Sequence, residues 1–344
     1  MKMKSLFLLI VGLLLLAGCA VPAAPAAAPA AEPAAAEPAA AEPAAAEPAA
    51  GGKTFEDLVV GYAQIGAESE WRTANTASIQ GEAENLGVEL KFSDAQQKQE
   101  NQIKAIRSFI AQQVDVIGVS PVVETGWETV FQEAKDAGIP LILVDRRAAV
   151  PEDLYATYLG SDFIEEGRRA GEAMGQILEN KGKIVELVGT VGSAPANDRA
   201  TGFRNYIADY PEMEIIASQS GDFTRAKGKE VMEAFLKSYG DEIDALYAHN
   251  DDMAIGAIQA IEEYGLKPGE DIKIVSVDAV RGAFEAMIAG KLNATIECNP
   301  LLGPQFFDLA LKVVNGEEVP KWVPSDEGVF WPEDAAEVLP TRLY

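Results

Sequence analysis

The sequence predicts an α/β protein of two doubly wound lobes, each a parallel sheet covered by helices. Three observations predict this fold. Short apolar runs rich in β-branched residues alternate with longer amphipathic segments from Asp57 to Val314. The part of the chain from Lys53 to Tyr344 reaches the length, about 250–300 residues, at which one hydrophobic core usually gives way to two. Polar residues follow the apolar runs, where open α/β sheets bind ligands.

The first lobe is predicted from a regular strand–helix series. Strands are expected at 57–64, 88–92, 116–120 and 140–145. Helices are expected between them at 71–86, 97–113 and 125–137. Strands that alternate with helices in this way form a parallel sheet with both faces covered.

A second series of the same kind predicts the second lobe. The stretch 157–162 leads into its first helix, and its strands are expected at 183–189, 214–220, 245–250, 272–278 and 294–297. Its helices are expected at 163–180, 198–209, 223–239, 253–264 and 282–289, and a last long helix at 301–314. Two doubly wound lobes account for this number and order of elements.

The first residues, MKMKSLFLLIVGLLLLAGCA, are typical of an export signal. Two lysines precede an apolar run from Leu6 to Leu16, which is shorter than the ~20 residues that a membrane-spanning helix needs. The run ends in Leu-Ala-Gly-Cys19, which resembles the lipobox of bacterial lipoproteins. We expect residues 1–18 to be a signal peptide and Cys19 to carry a lipid anchor. The alternative is an ordinary signal peptide with an unrelated cysteine.

Residues 19–53 are rich in Ala, Pro and Glu and predict a linker. The unit AEPAA repeats four times from Ala31 to Ala50. A proline in every fifth position does not sustain a helix, and the segment has no apolar face to bury. We expect a semi-rigid spacer that holds the folded part away from the membrane.

The net charge of −26 argues against nucleic acid as a partner, because nucleic-acid binding needs basic surfaces. Cys19 and Cys298 are the two cysteines of the sequence, so no disulfide framework is expected despite export. His249 is the one histidine, and its neighbourhood lacks the ligand spacing of a metal site. We therefore expect no metal, no cofactor and no catalytic triad, and we expect His249 to be a buried structural residue.

Three long stretches carry a resemblance to a known family. They are DAQQKQENQIKAIRSFIAQQVD (94–115), QSGDFTRAKGKEVMEAF (219–235) and YAHNDDMAIGAIQAI (247–261). The chain resembles the type I periplasmic sugar-binding proteins of ABC importers, in the ribose-binding class, and is most similar to the galactofuranose-binding proteins. The resemblance implies two lobes joined by a three-crossing hinge, with the ligand between them.

The resemblance also implies where the chain crosses between lobes. We expect the N-terminal lobe to comprise residues 54–159 and 299–322. We expect the C-terminal lobe to comprise residues 160–298 and 323–344.

A sugar site needs aromatic rings for the C–H patches of the ligand, carboxylates that accept from hydroxyls, and arginines or amides that donate. The resemblance implies that such groups are Ser69, Trp71, Arg72, Asp145, Arg146, Arg199, Phe223, Asn250 and Asp278. Secondary candidates beside these positions are Glu68, Asp198, Asp222, Glu297 and Cys298. Arg72 stands where ribose-binding proteins tend to carry a second aromatic residue, which favours a galactofuranose-like ligand.

Each assignment has a structural alternative. Trp71 and Phe223 could pack in a hydrophobic core instead. Asp145 and Arg146 could form an ion pair within one lobe, and Asp278 could cap a helix. Asp251, Asp252 and Asp198 are expected to cap helices, with Asp198 alternatively positioning Arg199.

These residues predict a monomeric, extracytoplasmic and membrane-anchored receptor that delivers a monosaccharide to an ABC permease. Two alternatives remain from the sequence. The same lobes could present a sugar to a chemotaxis or kinase receptor. Asp145 and Asp278 could also form the acid–base pair of a sugar-active enzyme, although the resemblance is to binding proteins and we expect no enzymatic activity.

Overall fold

Two six-stranded sheets organise the part of the chain that the computed structural model describes, residues 52–325 and 327–344. The predicted signal peptide (1–18), Cys19 and all but the last two residues of the predicted linker (19–53) lie outside this part. No helix within the described residues is both long and apolar enough to cross a membrane.

The first sheet contains six parallel strands in the order β11-β5-β4-β3-β1-β2. These strands are β1 (Val59–Gln64), β2 (Glu89–Asp94), β3 (Val116–Val119), β4 (Leu141–Val144), β5 (Thr157–Leu159) and β11 (Trp322–Val323). The helices of this lobe are α1 (Glu70–Leu86), α2 (Gln99–Ala111), α3 (Glu128–Asp136) and α9 (Gly303–Val314).

The second sheet has the order β12-β10-β9-β8-β6-β7. Its strands are β6 (Gly182–Val188), β7 (Met213–Ser220), β8 (Ala245–Ala248), β9 (Lys273–Asp278), β10 (Ala294–Glu297) and β12 (Val329–Phe330). Its helices are α4 (Phe163–Leu178), α5 (Ala194–Ile207), α6 (Arg225–Tyr239), α7 (Asp251–Tyr264), α8 (Arg281–Ile288) and α10 (Pro332–Val338). Short 3₁₀ helices occupy Phe55–Asp57, Glu152–Leu154, Gly240–Glu242 and Leu339–Thr341.

The chain passes between the two sheets three times, after β5, after β10 and after β11. This arrangement confirms the predicted fold of two α/β lobes joined by a three-crossing hinge. Val323 still pairs with Leu159 in the first sheet, so the third crossing begins one residue later than the predicted boundary.

Each sheet is buried on both faces, as parallel sheets are. In β3, Val116 belongs to one apolar cluster and the next residue, Ile117, to another, because successive side chains of a strand point to opposite faces. Helix α9 covers the first sheet, where Phe306 packs edge-on against Tyr62 with ring centroids 5.3 Å apart.

Two local differences from the predicted elements have simple causes. Helix α5 begins at Ala194, four residues before the predicted start at 198, because Pro195 in its first turn is already held near helical φ. Strand β12 is antiparallel to β10 and was not predicted. A strand of two residues is too short to show any periodicity.

Candidate ligand-binding site

A cavity lies between the two lobes, at the carboxyl ends of their strands. The empty space in it, including the solvent-filled part, is about 290 Å³. The residues around it are Glu68, Ser69, Trp71, Arg72, Asp145, Arg146, Pro195, Arg199, Phe223, Asn250, Asp278 and Cys298. The structure thus brings together all nine primary candidates and two secondary ones, and it adds Pro195, which the sequence analysis missed.

The first lobe contributes a buried network of two arginines and two carboxylates. Ser69 is the N-cap of α1 and accepts from the Arg72 N–H at 3.1 Å, which places Arg72 in the first turn beside the cavity. The Arg72 guanidinium donates from Nη2 to Asp145 and from Nε to Glu68 Oε1, the latter at 3.1 Å. Arg146 lies 3.7 Å from the same Glu68 oxygen. The network holds both carboxylates in fixed positions.

Two polar atoms in this wall are buried and have no hydrogen-bond partner in the described residues, namely Glu68 Oε2 and Arg146 Nε. A buried polar atom without a partner is costly, and in a binding site it marks a place for a ligand atom. A hydroxyl group both donates and accepts. Hydroxyl groups of a ligand can therefore satisfy the carboxylate oxygen and the guanidinium N–H.

The second lobe holds Arg199 in three contacts. Its Nε donates to Glu166 at 2.6 Å and its Nη1 donates to the His249 carbonyl at 2.6 Å, while Nη2 lies 3.6 Å from Asp278. Asn250 is the N-cap of α7, because its Oδ1 accepts from the Met253 N–H at 3.0 Å. The contacts with Glu166, the His249 carbonyl and Asp278 therefore fix the orientation of the Arg199 side chain beside the cavity.

Two aromatic rings from opposite lobes border the cavity. Trp71 donates from Nε1 to the Cys298 carbonyl at 2.7 Å. Phe223 follows β7, and the guanidinium of Arg146 lies 5.2 Å from its ring centroid. Gly189 makes room for this ring, since a Cβ atom there would lie 1.9 Å from Phe223 Cζ. The rings offer apolar surfaces between the charged groups.

Three residues of the cavity have positive φ angles, which is uncommon for side chains other than glycine. The φ angles are 64° at Asp145, 61° at Phe223 and 125° at Asp278. Such conformations cost on the order of 1–3 kcal/mol each and concentrate at binding sites. The backbone at three strand ends is thus bent to direct side chains into the cavity.

Burial has the largest effect on the pKa values of the charged groups in the cavity, and charged neighbours have the next largest. Burial, together with the nearby Arg72, lowers the pKa of Arg146 to about 10, although Asp145 and Glu68 oppose this change. Burial also works against the charge of Arg72, but Asp145 and Glu68 outweigh it and raise its pKa above the ordinary value. Burial raises the pKa of Asp278 well above its usual range. Whether a group in the cavity is charged therefore depends on the charges of its neighbours.

Three secondary candidates do not line the cavity. Asp198 forms an ion pair with Arg147 and lies inside α5, so the prediction that it caps a helix or positions Arg199 is wrong. Asp222 is exposed and lies 3.1 Å from Ser220 Oγ, which donates to it. Glu297 accepts from Arg342 at 2.7 Å. Strand-end position alone did not reveal which side chains turn inward.

The stretch around His249 also differs in part from expectation. His249 is buried, and its Nε2 lies 3.1 Å from Glu186. Burial lowers its pKa, and it is buried as predicted. The expectation that a structural histidine has all its hydrogen bonds satisfied is not met, because its Nδ1 has no partner in the described residues. Asn250 rather than the two following aspartates caps α7. Asp251 instead accepts from the Val280 N–H at 2.9 Å, and Asp252 accepts from the Glu70 N–H at 2.7 Å.

The first rim of the cavity, formed by Glu124 and Arg147 of one lobe and Gly192, Asn197 and Asp198 of the other, joins the two lobes. The Glu124 N–H donates to the Gly192 carbonyl at 2.9 Å, and Asn197 donates to the Glu124 carboxylate at 2.5 Å. Arg147 pairs with Asp198. These contacts bring the lobes together on this side of the cavity.

The second rim is formed by Glu70 of the first lobe and Arg225 and Asp252 of the second. Arg225 Nη2 lies 2.9 Å from Asp252 and 3.5 Å from Glu70. Because direct contacts join the lobes at both rims, the structure is the closed form of the two-lobed protein.

Comparison with known proteins identifies the family and supports the fold. The family profile of the periplasmic binding protein domain matches residues 60–318. The galactofuranose-binding protein YtfQ of Escherichia coli K12 is 50% identical over 289 residues, which cover 82% of this chain and 90% of that protein.

Two solved structures are similarly close. A Mycobacterium smegmatis protein in complex with β-D-fucofuranose is 55% identical, with a TM-score of 0.81 and coverage of 82% of this chain and 94% of that one. The binding protein of the arabinose ABC transporter from Shewanella sp. ANA-3, bound to α- and β-L-arabinofuranose, is 50% identical, with a TM-score of 0.81 and coverage of 83% and 95%. These matches confirm the predicted family, and the chain belongs to the periplasmic binding proteins.

Proposed function

We propose that this protein is an extracytoplasmic receptor that binds one monosaccharide in its furanose form and delivers it to an ABC importer. The observation that carries the proposal is the cavity itself, in which buried charged groups from two lobes surround a space of about 290 Å³. Relatives at about half identity bind galactofuranose, fucofuranose or arabinofuranose, which supports the ring form.

The charges of the cavity favour a neutral ligand. Its arginines are Arg72, Arg146 and Arg199, and its carboxylates are Glu68, Asp145 and Asp278. Burial raises the pKa of Asp278 well above its usual range, which favours its neutral form. Glu166, which pairs with Arg199 behind the cavity wall, supplies the third negative charge, so neither sign has an excess. A charged ligand would leave one charge of the site unpaired in a buried place, at a cost of several kcal/mol. A polyol satisfies donors and acceptors without adding charge.

The shape of the cavity supports a small ring bound between two apolar faces. Trp71 and Phe223 come from different lobes and border the cavity. We propose that each covers one C–H face of the sugar. Only the closed form brings both rings and the arginines of both lobes to the ligand. A ligand that contacts both lobes therefore favours closure by its differential affinity.

We propose that the sugar leaves the protein unaltered. The two carboxylates that an enzyme would use, Asp145 and Asp278, are each held beside an arginine, Arg72 and Arg199 respectively. In the transport relatives the function is binding. Incubation of the protein with its sugar followed by mass spectrometry should show no product.

The attachment of the folded part to the cell surface is also a proposal. We propose that residues 1–18 are removed and that Cys19 is lipidated, on the basis of its lipobox-like context, and that the protein acts as a monomer. We place the three boundaries between the lobes along the chain at 159/160, 298/299 and 323/324. Mass spectrometry of the membrane fraction should detect a diacylated N-terminal peptide, and a Cys19→Ala variant should appear in the soluble fraction.

The sugar is identified by titration calorimetry with L-arabinose, D-galactose, D-fucose and D-ribose. We expect one of the first three to bind at a 1:1 ratio and to quench or shift the fluorescence of Trp71. Trp71→Ala should weaken binding by more than tenfold, while Trp331→Phe, at the N-cap of α10 and outside the cavity wall, should not. Equal affinity of wild type and Trp71→Ala would refute the site. Absence of binding by all four sugars would refute the proposed ligand class.

A further inference from the structure

A buried cluster of side chains lies behind the ligand cavity, where the chain crosses between lobes. We call Ser161, Glu166, Cys298 and Glu327 the hinge cluster. Single ligand atoms of Glu166, Cys298 and Glu327 lie within 4.8 Å of one another. Glu166 and Cys298 are 1% and 2% exposed. Two carboxyl groups and a thiol therefore share one small, water-poor space.

Glu327 connects all three crossings. Its Oε1 accepts from Ser161 Oγ, which lies on the first crossing, at 2.5 Å. The same oxygen accepts from the Asn299 N–H, on the second crossing, at 3.1 Å. Glu327 itself lies on the third crossing, between β11 and β12. A single carboxyl group thus sets the relative positions of the three hinge segments.

Glu166 connects the hinge cluster to the sugar site. It accepts from Arg199 Nε at 2.6 Å, and Arg199 lines the cavity. Its other oxygen, Oε1, is buried and has no hydrogen-bond partner in the described residues. A carboxyl oxygen of Glu166 lies within 4.8 Å of one of Glu327. Two ionised carboxylates this close in a buried place repel each other, which favours a proton on one of them.

The surroundings decide which group carries that proton. Burial and the nearby Glu166 raise the pKa of Glu327 to about 9. Burial also raises the pKa of Glu166, which Arg199 opposes. The titratable or charged groups that face the cluster are Arg169 of α4, Arg199 of α5, Asp278 of β9, Tyr158 of β5 and Cys298 after β10. Arg199 is the cation nearest to Glu166, so Glu166 is the ionised partner and Glu327 the protonated one.

We propose that Glu166 and Glu327 share one proton at the hinge and act as positioning residues for Arg199, so that closure around the sugar retains this proton. The inference rests on the proposed function. Cys298 lies both in the cluster and in the cavity wall, so opening of the lobes brings water to the cluster. Hydration favours the ionised carboxylate. The open form therefore releases the proton more readily, and the closed form binds it.

A proton fits the cluster better than a metal ion. Glu166 already pairs with the Arg199 cation, and Oε1 of Glu327 already accepts two hydrogen bonds. Burial, together with the two nearby glutamates, also raises the pKa of the Cys298 thiol, whereas metal binding requires the thiolate. A cation placed here would meet a guanidinium and a protonated thiol.

The proposal is tested by calorimetric titration of the sugar that binds at pH 6, beginning with L-arabinose, from pH 6 to 9.5. Each titration is carried out in two buffers of different ionisation enthalpy. We expect uptake of a fraction of one proton on binding. Affinity should fall with pH, by at most about tenfold per pH unit for one proton. Equal affinity across this range, with no proton uptake, would overturn the proposal.

Variants separate the carboxyl pair from its neighbours. Glu327→Gln keeps a neutral donor and acceptor, so it should bind sugar as tightly as wild type at pH 6 and lose the pH dependence. Cys298→Ala should keep the pH dependence. Glu165→Gln, an adjacent carboxylate on the outer side of α4, should match wild type throughout. A pH dependence that persists in Glu327→Gln but disappears in Cys298→Ala would assign the proton to the thiol and refute the carboxyl pair.

Infrared spectroscopy reads the proton without any sugar. At pH 7 the spectrum of the wild type minus that of Glu327→Gln should contain the carbonyl band of one buried protonated carboxyl group, whereas any band from Asp278 is common to both proteins and cancels. If none of the sugars binds, the proposed function fails, while this band still decides whether the proton is shared. Tight calorimetric binding of Zn²⁺ that Glu327→Gln abolishes would identify a metal as the occupant and overturn the proposal.

Discussion

Arg147 of the first lobe and Asp198 of the second form an ion pair across the first rim of the cavity. The pair belongs to neither sheet and lies outside the cavity wall, so its role is to hold the lobes together rather than to contact the ligand. The Arg147 side chain is 43% exposed. Solvent therefore screens the interaction, and exposed pairs of this kind contribute about 0.2–1 kcal/mol.

Asp198→Asn should weaken sugar binding by up to about fivefold, the change that 1 kcal/mol produces. The closed form loses an ion pair that the open form does not make, so the equilibrium shifts towards the open form. Calorimetry at two salt concentrations checks this result, because added salt should weaken the wild type more than the variant. Asp153→Asn, which removes an exposed ion pair with Lys135 within the first lobe, should leave affinity unchanged. Tighter binding by Asp198→Asn would contradict the closing role.

Glu68→Gln should weaken sugar binding by about 10- to 150-fold, the range expected for loss of a charge-assisted hydrogen bond of about 1.5–3 kcal/mol. Glu68 Oε2 is buried and has no partner in the described residues, so we expect a sugar hydroxyl to donate to it. The amide group that replaces it presents either a neutral oxygen or a donor. Calorimetry gives the affinity, and thermal unfolding shows whether the variant is folded.

The matched control for this change is Glu84→Gln, at an exposed position on the same helix α1. It should alter neither affinity nor unfolding temperature. If Glu68→Gln binds sugar as the wild type does, Glu68 faces no hydroxyl and acts only as a partner of Arg72.

The sequence predicted the α/β lobes and most helices because their apolar periodicity is long and regular. It also placed candidate residues such as Asp145 and Asn250 at strand ends, where the structure has the cavity. Direct contact of these residues with a sugar stays a prediction. Strand-end position could not distinguish Phe223, which borders the cavity, from the neighbouring Asp222, which is exposed although its φ is also positive.

No pattern in the sequence predicts the contacts that Glu166 and Glu327 make. Glu166 lies in the first turn of the amphipathic helix α4, and nothing in its neighbours indicates the Arg199 contact. Glu327 lies on a short hinge segment, and its partners Ser161 and Asn299 are far away in the chain. Such contacts depend on how the three crossings meet, which local periodicity does not describe.

Gly189→Ala should weaken sugar binding by more than tenfold, because the new Cβ would lie 1.9 Å from the Phe223 ring and must displace it. Overpacking of this kind also costs about 1–3 kcal/mol of stability. A double-mutant cycle with Phe223→Ala tests the cause. If the ring is the target, Gly189→Ala should have little further effect in the Phe223→Ala background. Gly81→Ala, on α1 with no atom within 4 Å of its Cβ, should leave affinity unchanged, and additive effects in the cycle would refute the contact.

Glu327→Gln should flatten the pH dependence of stability between pH 5 and 9. The pKa of Glu327 rises from 4.5 to about 9 on folding, so the folded state retains a proton that the unfolded state has released. The free energy of unfolding of the wild type therefore falls as the pH rises through this window. Glutamine does not titrate, so the variant should match the wild type near pH 5 and exceed it at pH 9. Urea unfolding of the sugar-saturated protein at each pH measures both curves, because the raised pKa of Glu327 belongs to the closed form. Glu165→Gln is a control whose slope should equal that of the wild type, because the pKa of Glu165 is lowered to about 2, below the window. Parallel curves for wild type and Glu327→Gln would show that Glu327 is already ionised in the folded protein at neutral pH.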